Sequence, residues 1–140
     1  MKLRVLLCLL LLSGIILSSQ EIPPIQKYTP QVTGSGNQNW MITQGGNENI
    51  YFANNKGLLE FNGSKWSLYP SPNGTIFRSV KRINERIYSG AYMDFGYWLP
   101  EENGILIYKS LVEELEIDIL EDEQFWNILE FNKLVIFQSL

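Results

Sequence analysis

From Asn37 onward, short apolar runs alternate with clusters of turn-forming residues, and no run before residue 110 repeats with a helical period. Asn49–Ala53 (NIYFA), Gly57–Phe61 (GLLEF) and Ser64–Tyr69 (SKWSLY) are short runs with apolar and aromatic residues, bounded by turn signals, and predict three strands. Asn62-Gly63 separates the last two, and both residue types tolerate positive φ, so a hairpin is expected there. Pro70–Gly74 (PSPNG) closes the unit. The pattern then restarts with Thr75–Ile83, Arg86–Ser89 and Phe95–Leu99, a turn at Glu101–Gly104, and Ile105–Lys109. Residues 20–36 hold three of the six prolines and two glycines, and predict an extended lead-in. In residues 111–123, Leu115, Ile117 and Ile119 alternate with charged residues. This favours an edge strand followed by an acidic turn, with one or two helical turns as the alternative.

The runs repeat. Trp40-Met41-Ile42, Arg78-Ser79-Val80 and Trp126-Asn127-Ile128 align, and each is followed by a second strand at Asn49–Ala53, Arg86–Gly90 and Leu134–Gln138. The first two copies add a Gly-led third run, at Gly57–Phe61 and Gly96–Leu99, and a fourth aromatic run near Trp66–Tyr69 and Ile105–Tyr108. The spacing is 38 residues from Ile42 to Val80 and 48 from Val80 to Ile128. Units of four strands at this period suit β-propeller blades, which bury both faces against their neighbours. The expected fold is therefore all-β: an incomplete propeller of about two and a half four-stranded blades. The alternative is an antiparallel sandwich. The expected boundaries are a leader at 1–19, a lead-in at 20–36, and blades at 37–74, 75–120 and 121–140, the third stopping after its second strand. That stop makes the chain an expected amino-terminal fragment of a longer protein, or the product of a truncated or split gene.

The leader is read from Lys2 and Arg4, the unbroken apolar run Val5–Leu12, and small residues at Ser18 and Ser19, the layout of a secretory signal peptide. The alternative, a membrane anchor, needs about 20 apolar residues, and Ser13-Gly14 interrupts the run. Export is thus the expected localisation.

Composition narrows the chemistry. The 140 residues include no His and one Cys, Cys8, inside the leader. A Ser-His-Asp or Cys-His nucleophile system and a Cys/His zinc site are excluded from this chain. Without the leader, 9 basic side chains face 15 acidic ones, a net charge of −6. An acidic chain repels nucleic acid, so none is expected as a partner.

Asn37–Tyr69 resembles the repeat of the two-component regulator propeller family. Ile50-Tyr51-Phe52-Ala53-Asn54 stands for its aromatic second strand, and Asn55–Gly63 for its Gly-Leu-led third. Glu121–Ile128 is similar to the approach into another blade. The match departs in the turn Gln44–Asn49, where Gly and Asn replace the usual aspartates, and at Ser89-Gly90 in the second copy. The resemblance implies the extracytoplasmic sensor region of a bacterial regulator, on the periplasmic side of the inner membrane. Such a region precedes a triple-tyrosine domain, a membrane span and an output domain. The lead-in Ile22-Pro23-Pro24-Ile25 is most similar to members with a LuxR-type helix-turn-helix output. The expected function is ligand sensing, not catalysis. A propeller enzyme (hydrolase or lyase) and a protein-interaction scaffold are the alternatives. The expected partners are a small ligand, with a glycan among the candidates, and the remaining blades of the parent protein. Membrane attachment is expected only through the leader or further segments.

Trp40, Arg78 and Trp126 occupy one position in three successive copies and are the candidate ligand-binding residues. An Arg between tryptophans suits stacking on a sugar or pairing with a carboxylate, and packing between blades is the competing reading. No catalytic residue, metal ligand or cofactor is expected. The acidic run Glu113–Glu123 lacks an EF-hand spacing and reads as a solvated edge. Glu101 and Glu102 are adjacent in a turn and cannot flank one bond together. The sequons at Asn62 and Asn73 read as Asn-Gly turns.

Overall fold

A computed structural model describes residues 22–140. The leader, with Cys8, lies outside the described residues. The described chain is all-β, with three antiparallel sheets of four, four and two strands. The first contains β1 (Asn39–Gln44), β2 (Ile50–Asn54), β3 (Gly57–Phe61) and β4 (Trp66–Pro70), paired in sequence order. The second contains β5 (Phe77–Ile83), β6 (Arg86–Ala91), β7 (Phe95–Pro100) and β8 (Leu106–Ser110), also in sequence order. The third pairs β9 (Phe125–Phe131) with β10 (Leu134–Ser139). Two single helical turns, α1 (Pro30–Thr33) and α2 (Leu111–Glu114), complete the described elements. No helix among the described residues is long and apolar enough to cross a membrane.

Turn chemistry fixes the hairpins. Between β3 and β4, the Asn62 Oδ1 accepts from the Ser64 and Lys65 amides, and Gly63 takes a φ of 87°. Between β9 and β10 the central residues Asn132 and Lys133 both have positive φ, 47° and 69°, the backbone a two-residue hairpin needs. The Gly that leads each third run has a steric cause. A Cβ on Gly57 would lie 2.1 Å from the Tyr69 carbonyl oxygen, and one on Gly96 would lie 2.0 Å from that of Lys109. Both glycines let the third strand close on the fourth.

Neighbouring sheets join through their first strands. β5 packs on β1 and β2, and β9 packs on β5 and β6. Between the first two sheets lies the core: Tyr51, Ala53 and Leu58 against Phe77, Val80, Ile87 and Trp98. The Thr43 Oγ1 accepts from the Arg82 amide at 3.2 Å across this junction. Ala53 and Gly90 align in the repeat, and both sit where the next sheet arrives. A Cβ on Gly90 would lie 2.5 Å from the Ser79 Oγ and 2.7 Å from Phe125. Phe95 then stacks edge-on against Phe125 at 4.7 Å and contacts Phe137 at 4.4 Å, which seats the third sheet on the second. On the far side of the first sheet, Tyr28 from the lead-in covers Phe61 and Trp66.

Two segments differ from the sequence reading. The lead-in is not extended throughout: Pro30–Thr33 forms one helical turn, with Pro30 in the first turn and Gly34 capping it at φ 71°. The fully buried Asn54 then fastens the lead-in. Its Oδ1 accepts from the Gly36 and Lys56 amides, and its Nδ2 donates to the Gly36 and Gln38 carbonyls. Residues 111–123 contain no strand. Ser110 caps a helical turn by accepting from the Glu113 amide at 3.1 Å, and the chain continues through turns to β9.

Candidate functional site

In each sheet the first two strands slip by one residue near the start of the first. Asn39 faces Asn54 and Met41 faces Ala53, which leaves Trp40 without a partner. Phe77 faces Ala91 and Ser79 faces Gly90, which leaves Arg78 without one. Phe125 faces Ser139 and Asn127 faces Gln138, which leaves Trp126 without one. The three candidate residues are therefore three β-bulges at equivalent places. A bulge inserts one residue, bends the strand and re-aims that residue's side chain out of the ordinary alternation.

The three side chains converge from three different sheets. The Arg78 guanidinium carbon lies 4.2 Å from the Trp40 ring centroid and 4.7 Å from that of Trp126. The two indoles stand edge to face at 5.6 Å and 87°. Both contacts fall within cation–π range. The Trp40 indole N–H donates to the Asn55 Oδ1 at 2.7 Å, which fixes the ring. The Arg78 Nε donates to the Gln124 Oε1 at 2.9 Å, while its buried Nη1 has no hydrogen-bond partner. Burial holds the guanidinium pKa below its ordinary value, yet an arginine remains cationic at any physiological pH. The one ion pair among the described residues joins Arg82 to Glu85, so Arg78 has no carboxylate beside it. A pocket of about 230 Å³ opens next to it, lined by Gly74, Thr75, Ile76, Tyr92 and Gln124 along with Arg78 itself.

The arrangement offers a cation flanked by π-faces and an adjoining small pocket. It suits holding a flat or anionic ligand. The other basic residues of β5 and β6 do not join it: Arg82 pairs with Glu85, and Arg86 lies over Tyr97 at 4.4 Å. Glu101 and Glu102 are exposed at the β7–β8 turn. Among the described residues no three acidic, Cys or His side chains are gathered to hold a metal ion. Sequence reasoning missed Asn55 and Gln124. Asn55 lies at a tight turn after an aromatic strand and Gln124 two residues before Trp126, but neither position reveals that its amide reaches the site. Compared with protein-family models, curated proteins and solved structures, the chain matches none.

Proposed function

We propose that the chain is the ligand-sensing part of an extracytoplasmic β-propeller. That propeller belongs to a membrane-spanning bacterial regulator of signal transduction and transcription and faces the periplasm. The triple bulge carries this reading. Three sequence repeats each spend an irregularity at one position, and the three irregular residues meet. Bulges are over-represented beside functional sites because they aim side chains there. The order of the sheets supports the propeller reading: two meanders of four strands and a further pair succeed one another, joined through their first strands. On this reading residues 37–74, 75–120 and 121–140 are successive blades, Trp40, Arg78 and Trp126 contact the ligand, and the chain binds rather than catalyses.

A thermal-shift screen of neutral and acidic sugars tests it. A ligand present at about 100 times its Kd adds about 2.7 kcal/mol, which raises the Tm by several degrees. The expected hit stabilises the wild type and leaves Arg78→Met and Trp126→Ala unmoved. A screen without hits, or a hit that both variants keep, overturns the assignment.

A further inference from the structure

A second region with ligand-binding character lies at the opposite end of the sheets. A cleft of about 560 Å³ opens between the first and second sheets, at the β1–β2, β5–β6 and β7–β8 turns. That volume is within the range of small-molecule sites. One wall carries the half-buried carboxylate of Glu60, from β3. Its Oε1 accepts from the Asn49 side-chain Nδ2 at 2.6 Å and the Tyr51 hydroxyl at 2.9 Å, and its Oε2 accepts from the Tyr69 hydroxyl at 2.7 Å. All three donors are neutral. No described Lys or Arg lies within ion-pair distance of Glu60. Burial, reinforced by Glu60 itself, raises the pKa of both tyrosines, so they remain protonated donors. Three donors on Glu60 leave about one of its four lone-pair positions free.

The facing wall carries Arg82, from β5. Its guanidinium lies against Gly46, where a Cβ would sit 2.4 Å from Nη2. Gly45 likewise leaves room for the Tyr51 ring, 2.7 Å from where its Cβ would be. Two glycines thus keep the β1–β2 turn clear of the Arg82 guanidinium and the Tyr51 ring. Arg82's own partner, Glu85, is 3.7 Å away with a side chain 94% exposed, an ion pair of little strength. One cleft therefore presents two carboxylates and a guanidinium, which pairs loosely with the exposed Glu85 and not with Glu60.

We infer that this cleft binds a small zwitterion of short-peptide type, its ammonium group on Glu60 and its carboxylate on Arg82. The complementarity is chemical: each wall supplies the counter-charge for one end of such a ligand and repels the reverse orientation. A neutral sugar would meet the carboxylate and amides but would gain nothing from the opposed charges. The tyrosine and tryptophan rings here, Tyr51 and Trp98, are too buried (3% and 2% exposed) to stack on it.

Calorimetry on the folded full chain tests the proposal with alanyl-alanine, its N-acetyl form, its methyl ester and a neutral disaccharide. Alanyl-alanine is expected to saturate the protein, and blocking either end is expected to weaken binding about tenfold or more. In Glu60→Gln the free and acetylated peptides should bind alike, and in Arg82→Gln the acid and the ester should. The proposal is overturned if alanyl-alanine does not saturate at millimolar concentration. It is also overturned if the four ligands bind equally, or if either variant keeps the wild-type preference. The ligand series on the wild type decides the matter even if a variant fails to fold. Because the cleft is remote from Trp40, Arg78 and Trp126, Arg78→Met should leave this binding unchanged.

Discussion

The two ends of the sheets treat charge in opposite ways. Where the first strands begin, a guanidinium is closed between two indoles, with one buried nitrogen unbonded. Where the turns lie, a carboxylate has three donors and faces a cation across open space. The difference follows from register. Glu60 sits in regular pairing opposite Ser67, and Arg82 opposite Ile87; Glu60 is bonded within its own sheet, and Arg82 reaches only the β1–β2 turn at Gly46. Trp40, Arg78 and Trp126 have no partner, and their side chains are free to cross to the neighbouring sheets. One additional residue per sheet separates a closed three-sheet contact from an open two-sheet cleft.

Substitutions at five positions break or sharpen that contrast. The largest loss is expected for Asn54→Ala, which empties a fully buried site and strips two backbone amides and two carbonyls of their partner at the strand-start end. A cost of about 3 kcal/mol should appear in urea denaturation. Gly90→Val comes next, at about 2–3 kcal/mol, because its side chain would collide with Ser79 and Phe125. It should also loosen Trp126 from Arg78, visible as altered tryptophan fluorescence, while the cleft at the turns persists. Arg78→Ala should cost about 1–2 kcal/mol through two lost cation–π contacts. Arg78→Met, which keeps apolar bulk and removes the unbonded nitrogen, should cost less than Arg78→Ala. If Met costs as much, the arginine is there for stability.

The fourth concerns pH. Asp94 is 5% exposed, and burial raises its pKa above the ordinary 3.8, against the lowering effect of its bond from Ser110. A raised carboxylate binds its proton more tightly in the folded state. Stability should therefore decline as pH rises from about 3.8 through the folded-state value, then level off. Asp94→Asn should flatten that decline, and denaturation curves across the acidic range will show whether it does. The smallest stability effect is expected at the turn end. Gly46→Ala meets only the mobile tip of Arg82, so it should cost under about 1 kcal/mol. It should still displace the guanidinium and abolish zwitterion binding.

Much of the sheet pattern was legible. Asn62-Gly63 marked a hairpin, Gly57–Phe61 is a strand with those bounds, and the alignment of Trp40, Arg78 and Trp126 placed them at one structural position. The bulges were not legible, because an additional residue exists only relative to a partner strand. Leu115, Ile117 and Ile119 misled by imitating strand alternation. The better indication was Ser110 followed three residues later by Glu113, a helix-capping spacing. Thr29-Pro30 with Gly34 likewise encoded the short helix in the lead-in. The cleft at Glu60 was invisible for another reason: its walls come from β3 and β5, and nothing local links those residues.

The glycines that open the third strands have a consequence for mutational tolerance. Each faces a backbone carbonyl rather than a movable side chain, so no neighbouring repacking can make room. In a saturation library, positions 57 and 96 should stand empty of every substitution, including alanine, while adjacent columns fill. Gene duplication can copy such a constraint but drift cannot relax it, so the pair would outlast most of the similarity around it.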